Sequence, residues 1–143
     1  MRRDAAENRK PRIYLSYTRL TNKRRKNGRW LADKLRDAGV DVRIDLYYGK
    51  SLHGFTPPPL KPDRDAWDFW QEEQIKLADR VIVFCSEEYA SSTSDSGVAR
   101  DLRYMQADAK TSPDGLNKLI PVGIGPYETN AAFIPSFMRG ATY

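Results

Sequence analysis

A chain of 143 residues with a formal charge of +5 and a single cysteine has the size of one ordinary domain. Such a domain buries about two thirds of its unfolded surface without a disulfide or metal staple, and one thiol excludes an internal disulfide framework and fits a reducing, cytoplasmic setting. No apolar stretch approaches a membrane span and no signal peptide is visible, so no membrane partner is expected.

The charged start, "MRRDAAENRKPR", reads as a disordered lead-in over 1–11, followed by one domain over 12–143. "RIYLSY", 12–17, is a strand of β-branched and aromatic residues bounded by Pro11. The densest basic run, "NKRRKNGR" at 22–29, reads as a solvated loop. Leu31, Leu35 and Ala38 then recur at helical spacing, and Gly39 supplies a carboxyl cap, so a helix is expected from Gly28 to Ala38. "VDVRIDL" alternates with period two and reads as a second strand.

A long connection over 47–64 follows, kept out of helix and sheet centre by three prolines at 57–59. Asp65 caps a helix that runs to about Ala78. "RVIVFCS", 80–86, is the continuous apolar run of a strand buried on both faces. Val98, Leu102, Met105 and Ala109 mark a third helix, "KLIPVGI" a fourth strand, and "FIPSFMRGATY" a short last element. Alternating strands and helices predict an α/β fold with a parallel sheet in doubly wound order, its ligands at the carboxyl ends of the strands.

That topology brings "SYTRLTNKRRKN", the loop from "DLYYGK" and "SEEYASSTSDSG" to one rim, with the basic run on it. Lysines and arginines there suit phosphates or an acidic partner protein. No glycine-rich phosphate loop follows the first strand, which argues against a Rossmann oxidoreductase and a P-loop NTPase. "SYTR" lacks the acidic pair of a phosphoacceptor receiver domain. His53 is the lone histidine, so a triad or a zinc site has no ligand set to draw on, and no metal is expected. Cys85 reads as a core residue. Nucleic acid is disfavoured, because the basic run carries no interleaved aromatics.

The stretch "AWDFWQEEQI", 66–75, combines two tryptophans with two glutamates. On a helical wheel Trp67, Trp70, Gln71, Gln74, Ile75, Leu77 and Ala78 share a broad face, with Glu72 and Glu73 on its opposite flanks. The tryptophans need only pack against a sheet, and either glutamate reads equally as a boundary residue. A carboxylate beside aromatic walls can also stabilise an oxocarbenium-like centre. Nicotinamide leaves NAD+ as a neutral base, so a single carboxylate suffices for that cleavage.

Taken in order, "RIYLSYTR", "LADKLRDAGVDVRIDL", "WDFWQEEQIKLADRVIVFCSEEY", "KLIPVGI" and "FIPSFMRGATY" resemble Toll/interleukin-receptor (TIR) domains, in particular the SEFIR branch and its bacterial relatives. The resemblance spans nearly all of the chain after residue 11. It implies a flavodoxin-like doubly wound parallel sheet of four to five strands in a single TIR-type domain. It also implies an immune-defence effector that cleaves NAD+ at the nicotinamide–ribose bond on assembly, or a non-catalytic scaffold that assembles through like-with-like contacts. Under the first reading Glu72 is the catalytic residue with Glu73 in reserve, and Tyr17, Arg19, Asp45 and Trp70 bind substrate. NAD+ is then a substrate and no separate cofactor is implied. The loop over 46–64 corresponds to the family's assembly loop, and a sensor domain or an acidic protein is the implied partner. The chain departs from the enzymes' pattern in three places, one of them the length and proline content of the assembly loop. Asp68 stands where many carry a tryptophan four residues before the glutamate, and "SGVARDL" offers its acid, Asp101, two places late.

Overall fold

The computed structural model describes residues 9–60, 62, 64–91, 97–111, 116–123 and 133–138. Four parallel strands form one sheet in the order β2-β1-β3-β4: β1 Arg12–Ser16, β2 Asp41–Arg43, β3 Arg80–Cys85 and β4 Leu119–Gly123. Among the described residues five α-helices accompany them: α1 Asn22–Asp37, α2 Asp45–Gly49, α3 Ala66–Leu77, α4 Glu87–Ala90 and α5 Gly97–Thr111. This is the flavodoxin-like α/β arrangement expected from the order of elements.

The most apolar strand is central. Val81, Val83 and Cys85 are fully buried in β3, which pairs with β1 through Tyr14↔Val81 and with β4 through Val83↔Pro121. Pro121 has no N–H for a ladder, and β4 tolerates it because the strand has one neighbour among the described residues.

Helix α1 is longer than its apolar spacing predicts. Thr21 caps it, its Oγ1 accepting the Arg24 N–H at 3.2 Å, and the basic run forms its first two turns rather than a loop. Those turns bury little, so periodicity could not register them, yet lysine and arginine are good helix formers and Thr21 a good cap. At the other end Gly39 adopts φ +95. The N–H of Val40 reaches Leu35 O at 3.1 Å and that of Gly39 reaches Arg36 O at 3.0 Å, which closes the helix in a Schellman motif.

Strand β2 ends sooner than the alternation in "VDVRIDL" suggests. After Arg43 the chain turns into α2, because a helical turn buries both Ile44 and Tyr47 completely. Tyr47 Oη donates to Asp33 Oδ1 of α1 at 2.6 Å, and Arg43 Nη1 donates to Tyr48 Oη at 2.6 Å. The start of the expected loop over 46–64 is therefore helical. Beyond it Ser51 and His53 take left-handed backbone angles, and Phe55 stacks on Tyr48 at 4.5 Å. Arg36 Nη2 donates to Val42 O at 2.9 Å on the outer side of β2.

Asp65 caps α3 by accepting the N–H groups of Trp67 at 2.8 Å and Asp68 at 3.1 Å. Trp70, Gln71, Gln74, Ile75 and Ala78 bury as the wheel predicts, whereas Leu77 at the helix end is 52% exposed. Burial of Ile75 contributes about 1.5–3 kcal/mol. Lys118 Nζ holds the carboxyl end of α3, donating to Ile75 O at 2.6 Å and pairing with Asp108 of α5 at 3.0 Å. Met105 of α5 and Met138 of a 3₁₀ turn over Ser136–Met138 complete the core.

Of the expected lead-in, residues 1–8 lie outside the described residues, and Arg9 is tied to Asp79 by two bonds of 2.8 and 2.7 Å. Among the described residues no helix is long and apolar enough to cross a membrane.

Candidate functional site

A cavity of about 830 Å³ opens at the carboxyl end of β1, walled by the amino-terminal part of α1 and by α2, α3 and α5. Its volume is in the range of small-molecule sites. Tyr17, Arg19, Asp45 and Trp70, the four expected substrate-binding residues, all line it.

Tyr17 lies against α1 because position 28 is glycine: a Cβ there would stand 2.5 Å from the Tyr17 ring. From that seat Tyr17 Oη donates to Asp45 Oδ1 at 2.8 Å. Arg19 Nη1 pairs with Asp45 Oδ2, and the Leu46 N–H completes the set at 2.8 Å. Burial, with the Asp45 charge beside it, pushes the Tyr17 phenol well above its ordinary range, so it remains a donor at physiological pH. Trp70, only 5% exposed, meets Trp67, Tyr48 and Tyr14 edge to face at 5.3, 4.9 and 5.7 Å. The tryptophans thus both pack α3 and form a wall of the cavity.

Glu72 does not line this cavity. Its carboxylate pairs with Arg64 Nη1 at 3.0 Å and lies 3.9 Å from Lys76 Nζ, beside a cluster in which Arg64 and Asp68 share the Tyr104 hydroxyl. Glu73 is exposed. The reason is geometric. A helix turning about 100° per residue that buries positions 70, 71, 74 and 75 carries position 72 to the flank away from the sheet ends.

Asp45, Asp65 and Asp101 bring carboxylates to the cavity, and of these Asp101 of α5 is the buried one, 4% exposed. Its Oδ1 accepts Tyr14 Oη at 2.7 Å and Gln71 Nε2 at 2.8 Å, and its Oδ2 accepts Ser16 Oγ at 2.7 Å. Ser16 Oγ is in turn 2.8 Å from Tyr89 Oη. Burial pushes the Asp101 carboxyl up to about 6, with the Asp45 charge adding to the rise and the three donors opposing it. A sequence signal for this residue did exist. Val98, Asp101, Leu102 and Met105 stand at i, i+3, i+4 and i+7, so an acid occupies a position on the buried stripe of α5. Such a residue is held by partners or engaged in chemistry.

Three buried polar atoms of cavity-lining residues have no hydrogen-bond partner among the described residues: Trp70 Nε1, Gln71 Oε1 and Arg100 Nε. The rim is cationic. Arg25 and Lys50 contribute, and the first turn of α1 is basic where the helix dipole favours acids. Glu88 answers Arg24 at 2.8 Å, whereas Arg25 meets neutral acceptors, the Arg19 carbonyl at 2.6 Å and Asn22 Oδ1. The arrangement suits a ligand with a flat ring for the indoles, an anionic group for the rim and a positive centre facing Asp101.

Cys85 is a core thiol, pushed by burial up to about 11 and so not a nucleophile at neutral pH. His53 is exposed and stands edge to face on Tyr47 at 4.7 Å.

The family model described as the TIR domain matches residues 13–139. A crystal structure of a prokaryotic SEFIR domain is similar to the chain with a TM-score of 0.63 at 25% identity, over 92% of this chain and 84% of that one. None of the curated proteins matches.

Proposed function

The chain belongs to the TIR domain family, and on that premise we propose that its cavity binds NAD+ and cleaves the nicotinamide–ribose bond when copies of the domain assemble, as an immune-defence effector. The observation that carries this reading is a buried carboxylate, Asp101, in a cavity whose aromatic and cationic walls hold three buried polar atoms unpartnered among the described residues. Glu72 does not line that cavity, and in this proposal Asp101 takes the role that the resemblance gives to Glu72.

The chemistry needs little apparatus. Trp67 and Trp70 offer faces and edges to an aromatic ring, and Arg19, Arg25 or Arg100 meets the pyrophosphate. As the C–N bond breaks, its electron pair leaves with neutral nicotinamide and positive charge develops on the ribose. Asp101, ionised for the most part at neutral pH, stabilises that charge. Water then adds to the ribosyl carbon and releases a proton, giving ADP-ribose. The loop over 46–64 is the proposed surface for self-association, a sensor domain or acidic protein the proposed trigger, and the cytoplasm the proposed setting.

One observation favours a second reading, a non-catalytic scaffold. Asp101 is already held by three donors, as a purely structural carboxylate would be. NAD+ consumption by concentrated protein with a crowding agent separates the two. The wild type and Glu72→Ala are expected to consume NAD+, with Asp101→Asn reduced by about 100-fold or more. Full turnover by Asp101→Asn refutes its assignment. No turnover in any protein, with assembly demonstrated by light scattering, establishes the scaffold.

A further inference from the structure

At the opposite, amino-terminal edge of the sheet lies a second concavity, of about 590 Å³. Five basic side chains line it, Arg9, Lys10, Arg12, Arg36 and Arg43, against one acid, Asp41. We propose that this concavity is a separate binding site for a compact phosphate polyanion, of the di- or triphosphate class.

The local carboxylates are already committed. Asp41 takes Arg43 Nε and Nη2, each at 2.9 Å, and lies 3.6 Å from Arg36 Nη2. Asp79, just beyond, takes both terminal nitrogens of Arg9 and the backbone N–H of Arg12. Arg12 is left with a neutral acceptor, Gln74 Oε1 at 2.6 Å. Arg12 Nε and Arg36 Nε are buried without an acceptor among the described residues. Burial, and next the charge of Arg43, hold the Arg12 guanidinium below the ordinary arginine range, while Asp41 and Glu73 counter only in part. Two buried N–H groups without an acceptor among the described residues, and an excess of positive charge around a hollow of this size, favour an anion at its wall. Planar guanidinium forks match phosphate oxygens. The site is independent of the NAD+ reading, since no residue of the first cavity belongs to it.

Arg36 and Arg43 are poor choices for substitution, because their guanidiniums also lie over Phe55 at 5.4 and 4.7 Å. Arg12→Gln and Lys10→Gln test the site instead, with inorganic tripolyphosphate as the probe, titrated calorimetrically into the full chain. Arg19→Gln, altered at the first cavity, serves as the control. The proposal expects binding by the wild type and by Arg19→Gln, and a loss of about tenfold or more in affinity for Arg12→Gln, with a smaller loss for Lys10→Gln. On the unaltered protein, tripolyphosphate should shift the Nε–Hε resonances of Arg12 and Arg36, which keeps the test open if Arg12→Gln does not fold. Absence of binding, loss through Arg19→Gln alone, or Arg12 and Arg36 resonances that do not move would each overturn it.

Discussion

Replacing Asp101 with asparagine removes a charge that Tyr14, Ser16 and Gln71 are arranged around, and the cost of burying that charge can be read from stability against pH. The carboxyl titrates near 6 in the folded protein and near 3.8 in the unfolded chain. Between those values the folded protein holds a proton that the unfolded chain gives up. The wild type therefore gains stability relative to Asp101→Asn as pH falls through about 6, and the gain is complete by about 4. Its size, of order 3 kcal/mol, follows from about 1.4 kcal/mol for each tenfold change in the ionisation constant. Asp41, Asp79 and Glu88 are held below their ordinary range and oppose the trend, but they are common to both proteins and cancel in the difference. Urea unfolding of both proteins at about pH 7.5 and about pH 4, followed by tryptophan fluorescence, measures it. Parallel changes in the two proteins would refute the placement of Asp101 as a buried, ionisable group.

Gly28→Ala sets a methyl 2.5 Å from the Tyr17 ring, which must leave its seat and release Asp45. We expect a net destabilisation of about 1–2 kcal/mol despite alanine's better helix propensity, and weakened dinucleotide binding by calorimetry. Glu72→Ala removes a part-exposed pair outside the cavity, so thermal unfolding should place it within about 1 kcal/mol of wild type, with ligand affinity unchanged. Ile75→Ala hollows the contact between α3 and the sheet and should cost about 2–5 kcal/mol by urea unfolding, without a change in cavity charge.

The four strands, the Asp65 cap and the Gly39 stop were legible because each rests on local chemistry: an apolar run, a side-chain acceptor, a left-handed glycine. Tyr17, Arg19, Asp45 and Trp70 were named through the family resemblance, and all four line the cavity. What escaped depends on how one element seats on another. The apolar spacing of α1 starts only at Leu31, so the turns that bring Arg25 to the cavity left no periodic trace. A wheel leaves Glu72 and Glu73 equivalent, and the docking of α5 against α3 is what brings the buried carboxylate of Asp101 to the cavity. The alternation in "VDVRIDL" satisfies a strand throughout, yet burying Ile44 with Tyr47 favours a helical turn.

The bond from Arg36 to the Val42 carbonyl has a consequence for how copies of the chain meet. β2 is the last strand on its side of the sheet among the described residues, and a bare strand edge recruits other chains. Here a guanidinium occupies its carbonyl, and Phe55 lies over Arg36 and Arg43 like a lid on a latch. The segment proposed to join one copy to the next is thus also a guard against strand-to-strand growth. If the proposed interface draws Phe55 away, it loosens that guard, and orderly assembly would then compete with irreversible aggregation for the same few residues.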